Sequence, residues 1–114
     1  MAAFAASVAG LRCVFLEEAA FRLEVAIIAV LLPVALFAEI TAGQKALLIA
    51  VLLLVLVAEL INSAIEAAVD WTAQQLPPES RRHPLAAKAK DAASAGVFIS
   101  VIIAAVVWLL VFFG

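Results

Sequence analysis

With one cysteine, Cys13, and one histidine, His83, in 114 residues, the chain can build neither a disulfide framework nor a thiolate metal cluster. Cys13 reads as a small packing residue rather than a reactive thiol. Charge is nearly as scarce. Only 14% of residues are charged, the net charge is −2, and the seven Lys and Arg are dispersed, so the basic field that a nucleic-acid partner needs is missing. The opening stretch MAAFAASVAGLRCVFLEE lacks a basic segment followed by a continuous apolar core and a cleavage site, so no signal peptide is expected to be removed. No GxxxxGK[ST] and no GxGxxG occurs, which excludes the Walker-type and protein-kinase phosphate cradles. There is also no repeat of fixed period, so neither a solenoid nor an inverted-repeat transporter is suggested.

What fills the chain instead is apolar surface. At 68% hydrophobic residues and a mean hydropathy of +1.25, it fits one compact membrane module, residues 1–114, and is too small for two domains. Residues 3–24 interleave Phe4, Val8, Leu11, Phe15 and Leu23 with Arg12, Glu17, Glu18, Arg22 and Glu24, a pattern that suits an amphipathic helix on the membrane surface. Residues 25–39 form a short first span, which Pro33 is expected to kink and into which the surface helix should merge without a sharp break. A second span covers residues 45–70 and a third residues 85–113. Between them WTAQQLPPESRRHP, residues 71–84, carries three of the four prolines and reads as the one true loop.

Within the second span, AELINSAIEAAVD (residues 58–70) holds Glu59, Asn62, Glu66 and Asp70 at steps of 3, 4 and 4. At about 100° per residue these four share one helical face, while Leu60, Ile61, Ile65 and Val69 cover the rest. An ionisable residue inside a membrane helix is costly and by default marks a functional site. Two Glu flanking an Asn suit a divalent cation and a proton transfer. More polar residues arrive from Glu17, Glu18 and Glu24 and from Lys88, Lys90, Asp91 and Ser94, and their convergence would make one site. Carboxylates without thiolate point to a hard, oxygen-ligated cation such as Mg²⁺.

Plainer readings stand beside these. Asn62 and Ser63 also fit interhelical glue, and Glu59 fits a buried acid bonded to a neighbour. Glu17 and Arg22 suit a solvated face, His83 a solvated loop, and Lys90 a snorkelling interfacial lysine. Arg12 and Arg22 precede span one, Lys45 alone separates spans one and two, and Arg81, Arg82, Lys88 and Lys90 separate spans two and three. The positive-inside rule therefore places the N-terminus and the polar end of span two in the cytoplasm.

ELINSAIEAAVD (59–70), AKDAASAGV (89–97), EEAAFRLE (17–24) and GLR (10–12) together resemble the small prokaryotic diacylglycerol kinases, which include the undecaprenol kinases. These blocks occur in the right order over nearly the whole chain; the loop QQLPPESRRHP is longer than the family pattern, and the chain has no Tyr. The resemblance implies a homotrimer of three-span subunits that uses ATP and Mg²⁺ to phosphorylate a lipid hydroxyl at sites shared between subunits. Glu59 looks like the family's catalytic base, and Glu18 and Glu66 like its metal-binding carboxylates. Asn62, Lys90 and Asp91, with Glu18 and Glu66, are similar to residues that hold the nucleotide, and Arg12, Glu24, Glu59 and Ser94 to residues at the lipid substrate.

The expectation is thus an all-α integral membrane enzyme of three spans and a surface helix, in the bacterial inner membrane with its active site facing the cytoplasm. It would convert diacylglycerol to phosphatidic acid. Undecaprenol is the alternative acceptor, and a small oligomeric ion or proton conductor titrating Glu59 is the alternative of a different class. A conductor has no need of Glu18, Lys90 or Asp91.

Overall fold

The computed structural model describes residues 1–80 and 83–114. Four helices follow one another: α1 (Ala2–Glu17), α2 (Ala19–Phe37), α3 (Ala42–Gln74) and α4 (Pro84–Phe113), with a single 3₁₀ turn at Pro78–Ser80 before α4. Among the described residues there is no strand. The helices α2, α3 and α4 are each long and apolar enough to cross a membrane, so the protein is all-α, with three membrane-spanning helices and an N-terminal helix.

The chain's few polar residues mark where these helices begin and end. Thr41 and Gln44 form a reciprocal capping box at the start of α3, with the Gln44 N–H donating to Thr41 Oγ1 at 3.1 Å and the Thr41 N–H donating to Gln44 Oε1 at 3.0 Å. Lys45 reaches back so that its ammonium donates to the Leu36 carbonyl at 2.7 Å, satisfying the end of α2. At the head of α4, Pro84 occupies a position where no N–H is needed, and the Leu85 N–H donates to His83 Nδ1 at 3.1 Å. Pro33 lies inside α2, which continues through it as helix.

Two boundaries differ from the sequence reading. α3 runs to Gln74, so Trp71 belongs to the helix and the connection to α4 is shorter than expected. The passage from the N-terminal helix into the first span is broken rather than smooth: Glu18, at φ −118° and ψ 114°, is extended, ends α1 and begins α2. Residues 19–24 accordingly belong to the spanning helix. Arg81 and Arg82, on which the expected orientation partly rests, lie outside the described residues.

α3 is the central element. It packs most extensively on α4, then on α2, while α1 touches both α2 and α3. The core is thin: Val51 and Val55 of α3 pack with Ala104 of α4, and Val107 and Trp108 close over them. Leu48 and Ala35 are fully buried. The Trp108 indole donates from Nε1 to the Leu48 carbonyl at 3.3 Å and its ring lies 5.6 Å from that of Phe112. Much of the remaining apolar surface points outward, as it does on a chain whose solvent is lipid and whose helices gain nothing from hiding Leu from hydrocarbon.

At 33 residues α3 is about 50 Å long, against a hydrocarbon core of about 30 Å, so one end must leave the bilayer. The apolar run Ala46–Ala58 fixes which end: Glu59 stays inside and Asp70 emerges. Because Ala104 sits against Val51 and Val55, Ala104→Leu is expected to overpack this seam and cost about 1–3 kcal/mol in reversible unfolding from mixed micelles. An unchanged unfolding midpoint would show that α3 and α4 do not meet there.

Candidate active site

An open groove of about 690 Å³ runs between α1 and α3 at the emerging end of α3. Ser7, Gly10, Cys13, Val14 and Glu17 line its α1 side, and Leu60, Ser63, Ala64 and Ala67 its α3 side; each set recurs at three or four residues, so one face of each helix is turned to the other. The carboxylates of Glu18, Glu66 and Asp70 border the same groove. Small residues at Gly10, Ser63, Ala64 and Ala67 leave the floor open for a ligand rather than closing it with side chains.

Glu18 enters from the helix break. Its Oε2 accepts a hydrogen bond from Ser63 Oγ at 2.5 Å, across 45 residues of sequence, and Ser63 is 8% exposed. Immediately before Ser63 on α3, Asn62 Nδ2 donates to Glu66 Oε1 one turn on at 3.3 Å, while Asn62 Oδ1 is buried with no partner. An acceptor left open beside a carboxylate is unusual inside a protein and suits an incoming donor or cation. Glu59 is 7% exposed, one turn deeper than Ser63, and the Glu24 carboxyl on α2 adjoins it. The second oxygen of Glu24, Oε2, is also buried without a partner. On the water side Lys90 of α4 pairs with Asp70 at 2.5 Å, both half-exposed, so this contact locates Lys90 more than it stabilises the fold.

Of the residues singled out from sequence, the structure therefore brings together Glu18, Glu59, Asn62, Glu66 and Glu24 along one line of α3, with Lys90 at its outer end. It does not bring Arg12, Asp91 or Ser94 into the groove. Arg12 is exposed on α1 and borders a depression shared with Phe21 and Val25 of α2 and Leu56 of α3. Asp91 and Ser94 are exposed on α4. Ser63, weighed from sequence as interhelical glue, proves to be the hydroxyl that holds Glu18. Its place on the polar face of α3, four residues after Glu59 and three before Glu66, was the available signal.

The donor set fits a hard cation. Glu18 and Glu66 supply carboxylate oxygens to one groove, with hydroxyl and amide groups around them. Among the described residues no three carboxylate, imidazole or thiol groups converge into a protein-only cage. Mg²⁺ does not need one, since it is held by one or two carboxylates with phosphate and water completing its shell. Cys13 also borders the groove, but the negative charge of Glu17 raises its thiol above the ordinary range, which keeps it protonated and a poor ligand.

A family model for prokaryotic diacylglycerol kinases matches residues 5–112. The chain belongs to that family. It is 44% identical over 108 residues to the diacylglycerol kinase of Pseudomonas aeruginosa, covering 95% of this chain and 83% of that one. It is 38% identical over 99 residues to the diacylglycerol kinase of Escherichia coli K12, covering 87% and 76%, and 40% identical over 99 residues to one from Helicobacter pylori, covering 87% and 73%. The match to the family spans all four helices and so includes every residue of the groove.

Because thiolate is the reactive form, Cys13 should alkylate slowly with a maleimide at neutral pH. Glu17→Gln, which removes the largest cause of the raised pKa, is expected to speed the reaction. Equal rates for the two proteins would mean that Glu17 does not act on the thiol.

Proposed function

We propose that this protein is a membrane diacylglycerol kinase that transfers the γ-phosphoryl group of ATP to the free hydroxyl of diacylglycerol, giving phosphatidic acid and ADP. The observation that carries the reading is the line of carboxyl groups along α3, from buried Glu59 to Glu66 and Asp70 at the water side, in a chain of this family. The three helices lie in the bacterial inner membrane, with the groove on the cytoplasmic side where ATP is available.

Glu59 is the residue placed to take the proton. It lies within the depth that a lipid hydroxyl can reach, and Glu66 lies two turns, about 10 Å, nearer to water, so acceptor and phosphate meet between them. As the hydroxyl oxygen attacks the γ-phosphorus and the bond to ADP breaks, Glu59 receives the hydroxyl proton. Glu18 and Glu66 hold Mg²⁺, which when bound neutralises charge on the phosphoryl group being transferred. Asn62 orients the phosphates indirectly: its amide N–H holds the Glu66 carboxylate, and its unpartnered oxygen would accept from water on the cation. Lys90 adds positive charge at the outer end, where Asp70 now holds it.

The remaining positions argue for more than one chain per site. Asp91 and Ser94 face outward on α4, away from the groove of their own chain, and so do many large apolar side chains of the three spans. In a homotrimer the α4 helix of a neighbour completes each site with Asp91 beside the nucleotide and Ser94 beside the lipid. Glu24 and Arg12 contact the lipid headgroup from α2 and α1.

Glu59→Gln is expected to lower turnover by about 10² to 10⁴ while leaving nucleotide affinity nearly intact, since the amide keeps the size of the side chain but cannot accept the proton. Native turnover in this variant, measured in mixed micelles with labelled ATP, would assign the base elsewhere. Offering diacylglycerol and undecaprenol in parallel in the same assay decides the acceptor; preference for undecaprenol would overturn the proposed substrate and keep the kinase.

Glu18→Gln and Glu66→Gln should each raise the Mg²⁺ concentration required for activity, because one carboxylate of a two-carboxylate site rarely holds this reluctantly dehydrated ion. If either variant shows a native Mg²⁺ dependence, that residue is not a metal ligand.

A further inference from the structure

The break at Glu18 sets a problem for the backbone that one side chain solves. In a continuous helix the Phe15 and Leu16 carbonyls would accept from the N–H groups of residues 19 and 20. The extended geometry of Glu18 removes those donors and leaves the two carbonyls open at the junction of α1 and α2. Arg22, one turn into α2, folds back so that its Nη1 donates to the Phe15 carbonyl at 2.8 Å and to the Leu16 carbonyl at 2.9 Å. The Glu18 N–H still closes the last turn of α1 on the Val14 carbonyl at 2.9 Å, and the Arg22 N–H opens α2 on the Glu18 carbonyl at 3.2 Å. The carbonyls of Val14, Phe15 and Leu16 at the end of α1 are thus all paired. The guanidinium also places a positive charge at the carbonyl end of α1, where the helix dipole favours it.

The consequence falls on Glu18. Its carboxylate meets Ser63 across the groove only because the backbone is extended at that position and α1 turns aside from the axis of α2. Straightening the junction would swing Glu18 off α3 and carry Cys13 and Glu17 out of the groove with it. We propose that Arg22 is a positioning residue: it braces the α1–α2 break, and with Ser63 it fixes the Glu18 carboxylate over the groove for the metal–nucleotide complex. The inference rests on the metal-ligand reading of Glu18. Both bonds leave one nitrogen, Nη1, whose two N–H groups are fixed in the guanidinium plane and divide between adjacent carbonyls; an ammonium on a flexible stem can donate to both but is held less firmly.

The sole cysteine supplies the probe. A nitroxide on Cys13 of the full-length protein in micelles reports the position of α1 by its mobility. It reports a metal at Glu18 and Glu66 by line broadening when Mn²⁺ and a non-hydrolysable ATP analogue are added. In otherwise native protein the label is expected to be restrained and to broaden. Arg22→Met should release the label, weaken the broadening, and raise the Mg²⁺ requirement for turnover by about 10- to 100-fold, the usual range for losing an outer-shell partner. Arg22→Lys should fall between the two. Ser63→Ala should raise the Mg²⁺ requirement while leaving the label restrained, since it removes only the hydrogen bond to Glu18.

Two results overturn the proposal separately from its premise. A restrained label and unchanged Mg²⁺ dependence in both Arg22 variants would show that Arg22 does not brace the break. A label released in Arg22→Met, without broadening in the native protein, would keep the brace and remove Glu18 from the metal site, ending the positioning role. Should Arg22→Met fail to insert, Arg22→Lys and Ser63→Ala carry the same two readouts.

Discussion

The hydrogen bond from Ser63 to Glu18 ties the first half of the chain to the second, and the groove depends on it. On one side stands a helix junction that must be extended for the carboxylate to reach; on the other stands a buried serine on the polar face of a spanning helix. In water such a contact would contribute little, because each partner could be hydrated instead. At the edge of hydrocarbon the alternative is an unsatisfied carboxylate and hydroxyl, so α1 is drawn to α3 by the cost of leaving these groups alone.

The same constraint orders the remaining polar groups by depth. Glu59 and Glu24, the deepest carboxyls, adjoin each other; Asn62 and Glu66 pair one turn above; Asp70 and Lys90 pair where exposure reaches about half. A gradient of this kind suits a reaction between a lipid hydroxyl and a water-borne triphosphate, since each reactant finds its partners without leaving its own phase. Far from the groove, Trp108 and Leu48 hold α3 on α4 and give the working end a fixed support.

Part of this was legible in the residues. Long apolar runs with few charges can bury their backbone in lipid only as helices, so three spanning helices followed from hydropathy alone. The stripe Glu59, Asn62, Glu66 and Asp70 was legible because helical periodicity is a local rule, fulfilled as soon as α3 forms. The blocks 10–12, 17–24, 59–70 and 89–97 were sufficient to identify the family. The helix break was not legible: EEAAFRLE carries no proline or glycine, and nothing in its local preferences interrupts a helix at Glu18.

What the sequence determined by itself, then, is what periodicity and hydropathy control: the number of spans and the side of α3 that carries the polar residues. The tertiary structure alone decided that Glu18 meets Ser63, that Arg22 serves the backbone rather than solvent, that Glu24 adjoins Glu59, and that Arg12, Asp91 and Ser94 stay outside the groove of their own chain. Each of these joins residues of different elements or depends on a break in one. Which distant groups meet is settled by how helices pack, and that follows from satisfying buried polar atoms across the whole molecule rather than from any single stretch of it.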